Sequence, residues 1–166
     1  GVWQFPAGIM VDGGEAVLTG NRTWGERYLV SIPTFPRLLD GVFSARVRVT
    51  RSPTGQIPSL ICGLERHDAT THTISAFRYG ITVSSNKFGV YDGSARSTAV
   101  SFAENVWYDL RIDLKPWGAA HYCRRSGSTD WTLLYDSFSG ADEPFRLALS
   151  VFDGIVQLDD LRMSGR

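Results

Sequence analysis

The chain has 166 residues and a formal net charge of zero, because 17 basic side chains balance 17 acidic ones. Neutrality argues against general attraction to nucleic acids or membrane surfaces, and the length suffices for one domain with a substantial core. Hydrophobic residues make up 43% and charged residues 20% of the chain, a composition that excludes a disordered polymer. The basic residues are 15 arginines and two lysines. Arginine suits bidentate recognition of carboxylate or sulfate groups, although GC-rich codon usage explains the same bias.

Short strands separated by turn residues are predicted along the whole chain. In chain order they span residues 2–6, 9–11, 16–18, 27–32, 42–50, 59–65, 72–79, 81–83, 87–91, 98–102, 106–114, 119–125, 131–135, 145–152 and 155–163. The sequences Asp-Gly-Gly at 12–14 and Asp-Gly at 92–93 and 153–154 are hairpin-turn signals between them. No segment keeps a 3.6-residue period, so little or no helix is expected.

The alternation of apolar and other residues is clearest at 106–114. One face of this strand carries Val106, Tyr108, Leu110, Ile112 and Leu114, and the other carries Trp107, Asp109, Arg111 and Asp113. Because successive side chains of a strand point to opposite faces, this strand is expected to be buried on one side only. Pro116 and Gly118 then turn the chain into a second strand, with Trp117 near the tip of the hairpin.

These signals predict an all-β fold, a two-sheet antiparallel β-sandwich that forms a single domain over residues 1–166. Cys62 and Cys123 each lie in an apolar strand pattern, and they either pair, if their strands are neighbours, or remain two buried thiols. No apolar run approaches the roughly 20 residues that span a bilayer. The chain begins at Gly1 rather than Met, which predicts an excised domain or mature fragment of a larger protein.

Four motifs in the second half occur in an order typical of one superfamily. They are Gly-Leu-Glu-Arg at 63–66, Trp107 followed by Leu110 and Ile112, the Ser-Gly-Ser turn at 126–128 that leads to Trp131, and the closing strand at 156–163. Together they cover about residues 41–163. This part of the chain resembles the concanavalin A-like lectin/glucanase superfamily, which includes laminin-G-like domains and many carbohydrate-binding modules. The resemblance implies a jelly roll in which one concave sheet often binds a glycan.

The carboxylates offer no obvious catalytic pair. Glucanases of this superfamily carry Glu-x-Asp-x-x-Glu on a strand, and the sequence lacks this triplet. Asp109 and Asp113 are separated along one strand face by roughly 13 Å, whereas a glycosidase pair is held about 5–10 Å apart. An ion pair between Arg111 and either carboxylate is the simpler interpretation. A polysaccharide lyase stays open as an alternative, with His121 or Tyr91 as the base and Arg111 neutralising a uronate.

A polar patch on one sheet face is the main predicted site. Arg111 and His121 are expected to lie close together on the same face of the hairpin, with Asp109 and Tyr91 in the same patch. Such groups could hydrogen-bond hydroxyls or a carboxylate, and the alternative is a solvated polar face. The dense polar cluster at 65–68 follows a strand, where binding loops concentrate, and its alternative is a salt-bridged turn.

Aromatic side chains supply a second kind of candidate. Sugars present an apolar C–H face that stacks on aromatic rings, which favours Trp24 and Trp117 as platforms, with loop packing as the alternative. Trp107 and Trp131 are expected to fill or cover the core. The complete predicted set of ligand-binding residues is Trp24, Glu65, Arg66, His67, Arg78, Tyr91, Asp109, Arg111, Trp117 and His121.

The leading hypothesis is a secreted, non-catalytic carbohydrate-binding module, with the arginine excess favouring acidic glycans. Its partner would be a polysaccharide or other glycan, with neither nucleic acid nor membrane. The alternatives are a small lyase or glycosidase on the same fold and a laminin-G-like protein-interaction domain. No Cys/His cluster has zinc spacing. No cofactor is predicted, and a structural calcium near Asp12 and residues 159–160 stays open.

Overall fold

The computed structural model describes residues 3–4, 10–12, 15–32, 34–35, 40–53, 55–140 and 143–165, with side chains from Glu15 onward. The described chain forms fourteen strands and one 3₁₀ helix, Ile74–Ala76. The strands are β1 Trp3–Gln4, β2 Met10–Asp12, β3 Glu15–Thr19, β4 Tyr28–Ser31, β5 Val42–Thr50, β6 Ser59–Arg66, β7 Phe77–Ser84, β8 Lys87–Tyr91, β9 Ala95–Ser101, β10 Trp107–Lys115, β11 Gly118–Arg125, β12 Thr132–Ser137, β13 Phe145–Asp153 and β14 Ile155–Ser164. The prediction of little or no helix is confirmed for this part of the chain.

Two seven-stranded sheets make up the fold. The first sheet has the strand order β1, β4, β13, β6, β7, β8, β9, and the second has the order β12, β11, β10, β5, β14, β3, β2. The pairings between these strands are antiparallel. The predicted two-sheet antiparallel sandwich is therefore confirmed. The described residues contain no helix that is long and apolar enough to cross a bilayer.

The main core lies between the two sheets and follows the predicted alternation. Phe43 and Val47 of β5 and Leu110 and Ile112 of β10 are fully buried, while Ser44, Arg46 and Arg111, which alternate with core residues, are only partly covered. Burying one such side chain stabilises the fold by roughly 1.5–3 kcal/mol. The outward residues of β5 and β10 therefore form one surface of the second sheet.

The outer face of the first sheet carries a second apolar cluster. Val30, Ile61, Phe77 and Ala148 form it, and Ile74 of the 3₁₀ helix packs against it. Residues 67–76 thus fold over this face. As a result β6 is buried on both sides, which explains why its sequence is apolar almost throughout instead of alternating.

Residues 72–79 were expected to form a strand that ends at Gly80, and this expectation is wrong. The strand begins at Phe77 and passes through Gly80 to Ser84. Glycine is needed inside it because a Cβ at Gly80 would lie 2.6 Å from a side-chain carbon of Ile61. Close packing, and not interruption of the strand, is the role of this glycine.

The two cysteines are free and buried. Cys62 lies on β6 of the first sheet, and Cys123 lies on β11 of the second. Burial raises the pKa of the Cys62 thiol to about 12 and that of the Cys123 thiol to about 11. Of the two alternatives left open by the sequence, the structure has the pair of buried thiols.

Candidate functional site: a hydroxyl groove and an arginine face

A recess of about 430 Å³ opens along β7, β8 and β9 of the first sheet. Its lining includes Ser59, Thr82, Ser84, Ser97, Thr98 and Tyr91, and we call it the hydroxyl groove. Thr98 donates its hydroxyl to the carbonyl of Phe88 at 2.5 Å. The hydroxyls of Ser59, Thr82, Ser84 and Ser97 make no hydrogen bond to any residue that the structure describes, so they are available to a ligand as both donors and acceptors.

Strand register builds the floor of the hydroxyl groove. Thr82 of β7 and Ser97 of β9 both pair with Gly89 of β8, which lies between them. A Cβ at Gly89 would lie 2.6 Å from the Thr82 hydroxyl and 3.0 Å from the carbonyl oxygen of Arg96. Glycine therefore keeps the floor open between two hydroxyl-bearing residues.

The ends of β8 give the hydroxyl groove an aromatic end and a basic end. Half-buried Tyr91 and exposed Lys87 lie at opposite ends of this strand, roughly 13 Å apart by strand rise. Arg96 also lines the groove, but its guanidinium lies over the Tyr135 ring and pairs with Asp92. Among the described residues, none that lines the groove is a carboxylate. Of the two cations in the lining, Lys87 is therefore the one that makes no ion pair with a described residue.

The outer face of the second sheet, which we call the arginine face, has a different character. Arg46, Asp109 and Arg124 are direct neighbours on β5, β10 and β11. Asp109 accepts hydrogen bonds from Arg46 Nε at 3.2 Å, Arg124 Nε at 3.0 Å and the Ser126 hydroxyl at 2.7 Å. Burial acts to raise the pKa of Asp109, but these hydrogen bonds outweigh it and lower the pKa below its ordinary value. The charges of this face are thus largely paired with one another.

Trp107 and Trp131 cover the second sheet from outside and are not part of the main core. The Arg48 guanidinium lies 5.1 Å from the Trp107 ring centre, and the Arg124 guanidinium lies 4.1 Å from that of Trp131. The two tryptophans were expected either to fill or to cover the core, and their position is a covering one. An arginine guanidinium thus lies over one face of each ring, a face that a sugar would otherwise be able to use.

Arg111 and His121 do not lie on the same face, contrary to expectation. The hairpin turns at Pro116 and Trp117, with Lys115 opposite Gly118. Arg111 therefore pairs with Tyr122, and His121 pairs with the inward-facing Ile112. A register shift of one residue sends every side chain to the opposite face. His121 consequently points between the sheets and is fully buried.

Burial of the His121 imidazole determines its contacts and its pKa. Its Nδ1 lies 3.2 Å from the carbonyl oxygen of Tyr135, and its ring lies 6.1 Å from the Tyr79 ring of the first sheet. Burial lowers the pKa of His121 to about 4, against a smaller opposing effect of the Tyr135 hydrogen bond. A ligand on either outer face cannot reach this side chain.

The rest of the expected polar patch is also divided. Tyr91 lies on the first sheet, whereas Asp109 and Arg111 lie on the second. Arg111 donates to both carboxylate oxygens of Asp113, at 2.5 and 2.9 Å. The predicted in-strand ion pair is therefore confirmed for Arg111 and Asp113, while Asp109 binds other arginines.

Glu65 is a structural residue and not an accessible ligand contact. Its carboxylate is completely buried and lies 2.8 Å from His72 Nδ1 and 3.4 Å from Arg146 Nη2. Residues 67–76 cover it, which the local sequence could not indicate. Arg66 and His67, in contrast, are exposed at the end of β6.

A cluster of side chains that could hold a metal ion lies just after the end of β6. Ligand atoms of His67, Asp68 and Glu143 lie within 4.8 Å of one another. The structural calcium that the sequence left open near Asp12 and residues 159–160 would involve the side chain of Asp12, which lies outside the described part. Asp160 itself lies 3.8 Å from Arg46.

The last three predicted residues have separate positions. Arg78 donates to the Asp92 carbonyl at 2.8 Å and to the Ser139 hydroxyl at 2.7 Å, so it ties β7 to the segment after β12. Trp24 packs against Phe152 and the second apolar cluster, as the loop-packing alternative held. Trp117 is 48% exposed at the hairpin turn.

The residues that form the hydroxyl groove, apart from Tyr91, were not predicted from the sequence. A signal was present, because Thr82 and Ser84 alternate with buried residues on β7 and Gly89 interrupts an apolar run on β8. Bringing Ser97 beside them requires the pairing of β8 with β9. That pairing shifts register between Lys87 and Gly89, which no local pattern reveals.

Comparison with known proteins supports the fold. No protein-family model and no curated protein matches the chain. The carbohydrate recognition domain of Emp46p in its potassium-bound form is similar at a TM-score of 0.66 and 15% identity, over 97% of this chain and 89% of that one. The exoplasmic/lumenal domain of VIP36 in its Ca²⁺/Man-bound form is similar at a TM-score of 0.61 and 10% identity, over 96% of this chain and 83% of that one.

A third similar structure has a different description, the SPRY domain of human HERC1. Its TM-score is 0.59 at 12% identity, over 98% of this chain and 97% of that one. Sequence identities this low show a shared fold and nothing more. The chain therefore has the two-sheet, concanavalin A-like jelly-roll fold that its sequence motifs implied.

Proposed function

We propose that the protein is a non-catalytic carbohydrate-binding module and that the glycan lies in the hydroxyl groove. One observation carries the proposal: hydroxyls of Thr82, Ser84 and Ser97, without partners among the described residues, line a recess that has the Tyr91 ring at one end. Serine and threonine hydroxyls donate and accept, as sugar hydroxyls do. An aromatic ring offers an apolar surface to the C–H face of a sugar.

The size of the hydroxyl groove supports this proposal. Its volume of about 430 Å³ lies within the roughly 300–1,000 Å³ that is common for small-ligand sites. Gly89 supplies depth, since any side chain there would meet the Thr82 hydroxyl. The groove thus combines depth, hydrogen-bonding capacity and one aromatic surface.

The proposal extends to acidic glycans, for a reason that differs from the arginine excess. The described lining of the hydroxyl groove holds no carboxylate, and Lys87 is exposed at its basic end. A uronate or sulfate group would be attracted to Lys87 without competition from a neighbouring acid. Arg111, in contrast, is already bound by Asp113 on the other sheet.

The comparisons support sugar recognition as a use of this fold. One similar structure is a carbohydrate recognition domain, and another is a Man-bound form. Because a fold does not determine function, the groove carries the proposal and the likeness adds to it. We further propose that residues 1–166 form one domain of a larger, secreted protein.

The lyase alternative gains no support from the arrangement of its residues. Tyr91 lines the hydroxyl groove, His121 is buried between the sheets, and Arg111 lies on the arginine face. The protein-interaction alternative has one favouring observation, the exposed rings of Trp117 and Phe138, whose centres are 6.5 Å apart. A stable dimer or protein partner that needs both rings, with no glycan bound, would favour that alternative.

The test is a binding screen across neutral and acidic polysaccharides at low and high salt, with two matched variants. Ser97→Trp places a large ring over the hydroxyl groove from an exposed edge position. Ser128→Trp makes the same change at an exposed turn of the second sheet. We expect Ser97→Trp alone to abolish binding of every hit, and an acidic hit to weaken with salt. Equal binding by both variants would refute the groove assignment.

A further inference from the structure

A second recess, of about 120 Å³, opens on the arginine face. We call it the arginine pocket. Arg46, Arg124 and Arg162 line it together with Trp131, Asp109 and Asp160. It lies on the second sheet and shares no lining residue with the hydroxyl groove. A ligand in the arginine pocket would therefore bind independently of a glycan in the groove.

Asp109 holds two of the three arginines in fixed positions. Its Oδ1 accepts from Arg46 Nε and its Oδ2 accepts from Arg124 Nε. The Ser126 hydroxyl donates to Oδ1 and fixes the carboxylate in turn. The Trp131 ring lies 4.1 Å from the Arg124 guanidinium carbon, which restricts the plane of that group. The two guanidinium groups are thus ordered before any ligand arrives.

The terminal nitrogens of the three arginines are the donors left for a ligand. Arg46, Arg124 and Arg162 each use Nε for their partner, which for Arg162 is the Ser44 hydroxyl at 3.3 Å. Arg46 Nη1 lies 3.8 Å from an oxygen of Asp160, beyond hydrogen-bonding distance. In the part of the chain that the structure describes, none of the Nη atoms of these three arginines makes a hydrogen bond.

Charge and volume define the ligand class. Three guanidinium groups and two carboxylates line the arginine pocket, which leaves a net charge of +1 (3 − 2). Its volume of about 120 Å³ is well below the roughly 300–1,000 Å³ of common small-molecule sites, which suits a small ion. Guanidinium groups form short, charge-assisted hydrogen bonds to oxyanions. We propose that the arginine pocket binds one tetrahedral oxyanion, a sulfate or phosphate group, through the terminal nitrogens of Arg46, Arg124 and Arg162.

The primary test follows the arginine Nε–Hε signals by ¹⁵N NMR during titration with sodium sulfate. Sodium chloride at matched ionic strength is the control. We expect saturable shifts of the Arg46, Arg124 and Arg162 signals with sulfate and only weak, linear shifts with chloride. Indistinguishable responses to the two salts would overturn the proposal.

Matched charge variants locate the anion. Removing a charged hydrogen-bond donor should weaken sulfate binding about tenfold in Arg124→Gln and Arg162→Gln. Arg125→Gln removes the same charge from the next residue, which is exposed and does not line the pocket, and should bind as the wild type does. Equal losses in Arg125→Gln and Arg162→Gln would show general charge attraction and overturn the site. If Arg124→Gln does not fold, the exposed Arg162 decides the result.

Two further arms identify the source of the anion. Dextran sulfate that competes with free sulfate, when unmodified dextran does not, would assign the pocket to an ester carried by a polymer. Sodium phosphate that competes as well as sulfate, with no competition by dextran sulfate, would assign it to a free anion. The Ser97→Trp variant should leave the sulfate titration unchanged, so failure of the hydroxyl groove and failure of the arginine pocket can be told apart.

Discussion

The outer faces of the two sheets use their polar residues in opposite ways. The hydroxyl groove on the first sheet leaves Thr82, Ser84 and Ser97 without partners among the described residues. On the second sheet, charged groups are numerous and most of them bind one another, as Arg111 binds Asp113, although the terminal nitrogens of Arg46, Arg124 and Arg162 hydrogen-bond to no described residue. The arginine face, which carries more charged residues, thus has fewer of its polar groups without a protein partner. Hydroxyls without described partners, and not charge content, distinguish the candidate sugar site.

The largest expected effect separates a charge buried on the first sheet under residues 67–76 from one exposed on the second sheet. Glu65→Gln removes the completely buried carboxylate that binds His72 and Arg146, and it should lower the free energy of unfolding by about 3 kcal/mol. Asp160→Asn removes an exposed carboxylate opposite Arg46 and should cost less than about 1 kcal/mol. Urea denaturation measures both, and similar losses would contradict the contrast.

A second large effect concerns the layer between the two faces and depends on pH. Burial lowers the pKa of His121 from 6.5 to about 4, so the unfolded chain binds more protons in this window. Stability should therefore rise with pH across it and be lost as the pH falls from 6.5 to about 4, by roughly 3 kcal/mol in total.

The control for this pH effect is a second histidine variant. His121→Phe should flatten the dependence of the unfolding free energy on pH, and His67→Gln at an exposed position should not. Urea denaturation at several pH values is the measurement. An unchanged slope in His121→Phe would show that other groups cause the acid sensitivity.

A moderate effect is expected at the aromatic end of the hydroxyl groove. Tyr91→Ala removes the ring proposed to stack on a sugar and should weaken the affinity for the glycan found in the screen about fivefold. Tyr91→Phe keeps the ring and should retain most of the affinity. Isothermal titration calorimetry gives both values, and equal losses in the two variants would reject stacking in favour of the Tyr91 hydroxyl.

The smallest effect is expected on the arginine face. Arg111→Ala should leave glycan affinity unchanged, because Arg111 lies on the opposite sheet and is held by Asp113. The same calorimetric titration checks it. A loss as large as that of Tyr91→Ala would place the glycan on the second sheet and reverse the comparison between the faces.

Local patterns predicted the faces of individual strands but not how the strands combine. Alternation in 106–114 correctly placed Asp109 and Arg111 outward, because side-chain direction depends only on strand periodicity. The position of His121 depended on a hairpin register that one residue decides. The burial of Glu65 depended on residues 67–76 crossing the sheet, and the meeting of Thr82 with Ser97 depended on three paired strands. These are non-local features that no window of sequence contains.

The central claim is that a glycan binds in the hydroxyl groove, and mapping amide shifts by NMR tests it most directly. The isotope-labelled protein would be titrated with an oligosaccharide of the best polysaccharide from the screen. We predict that the shifted amides cluster on β7, β8 and β9 around Gly89. Shifts clustered instead on β5, β10 and β11, or at the Trp117 turn, would contradict the account.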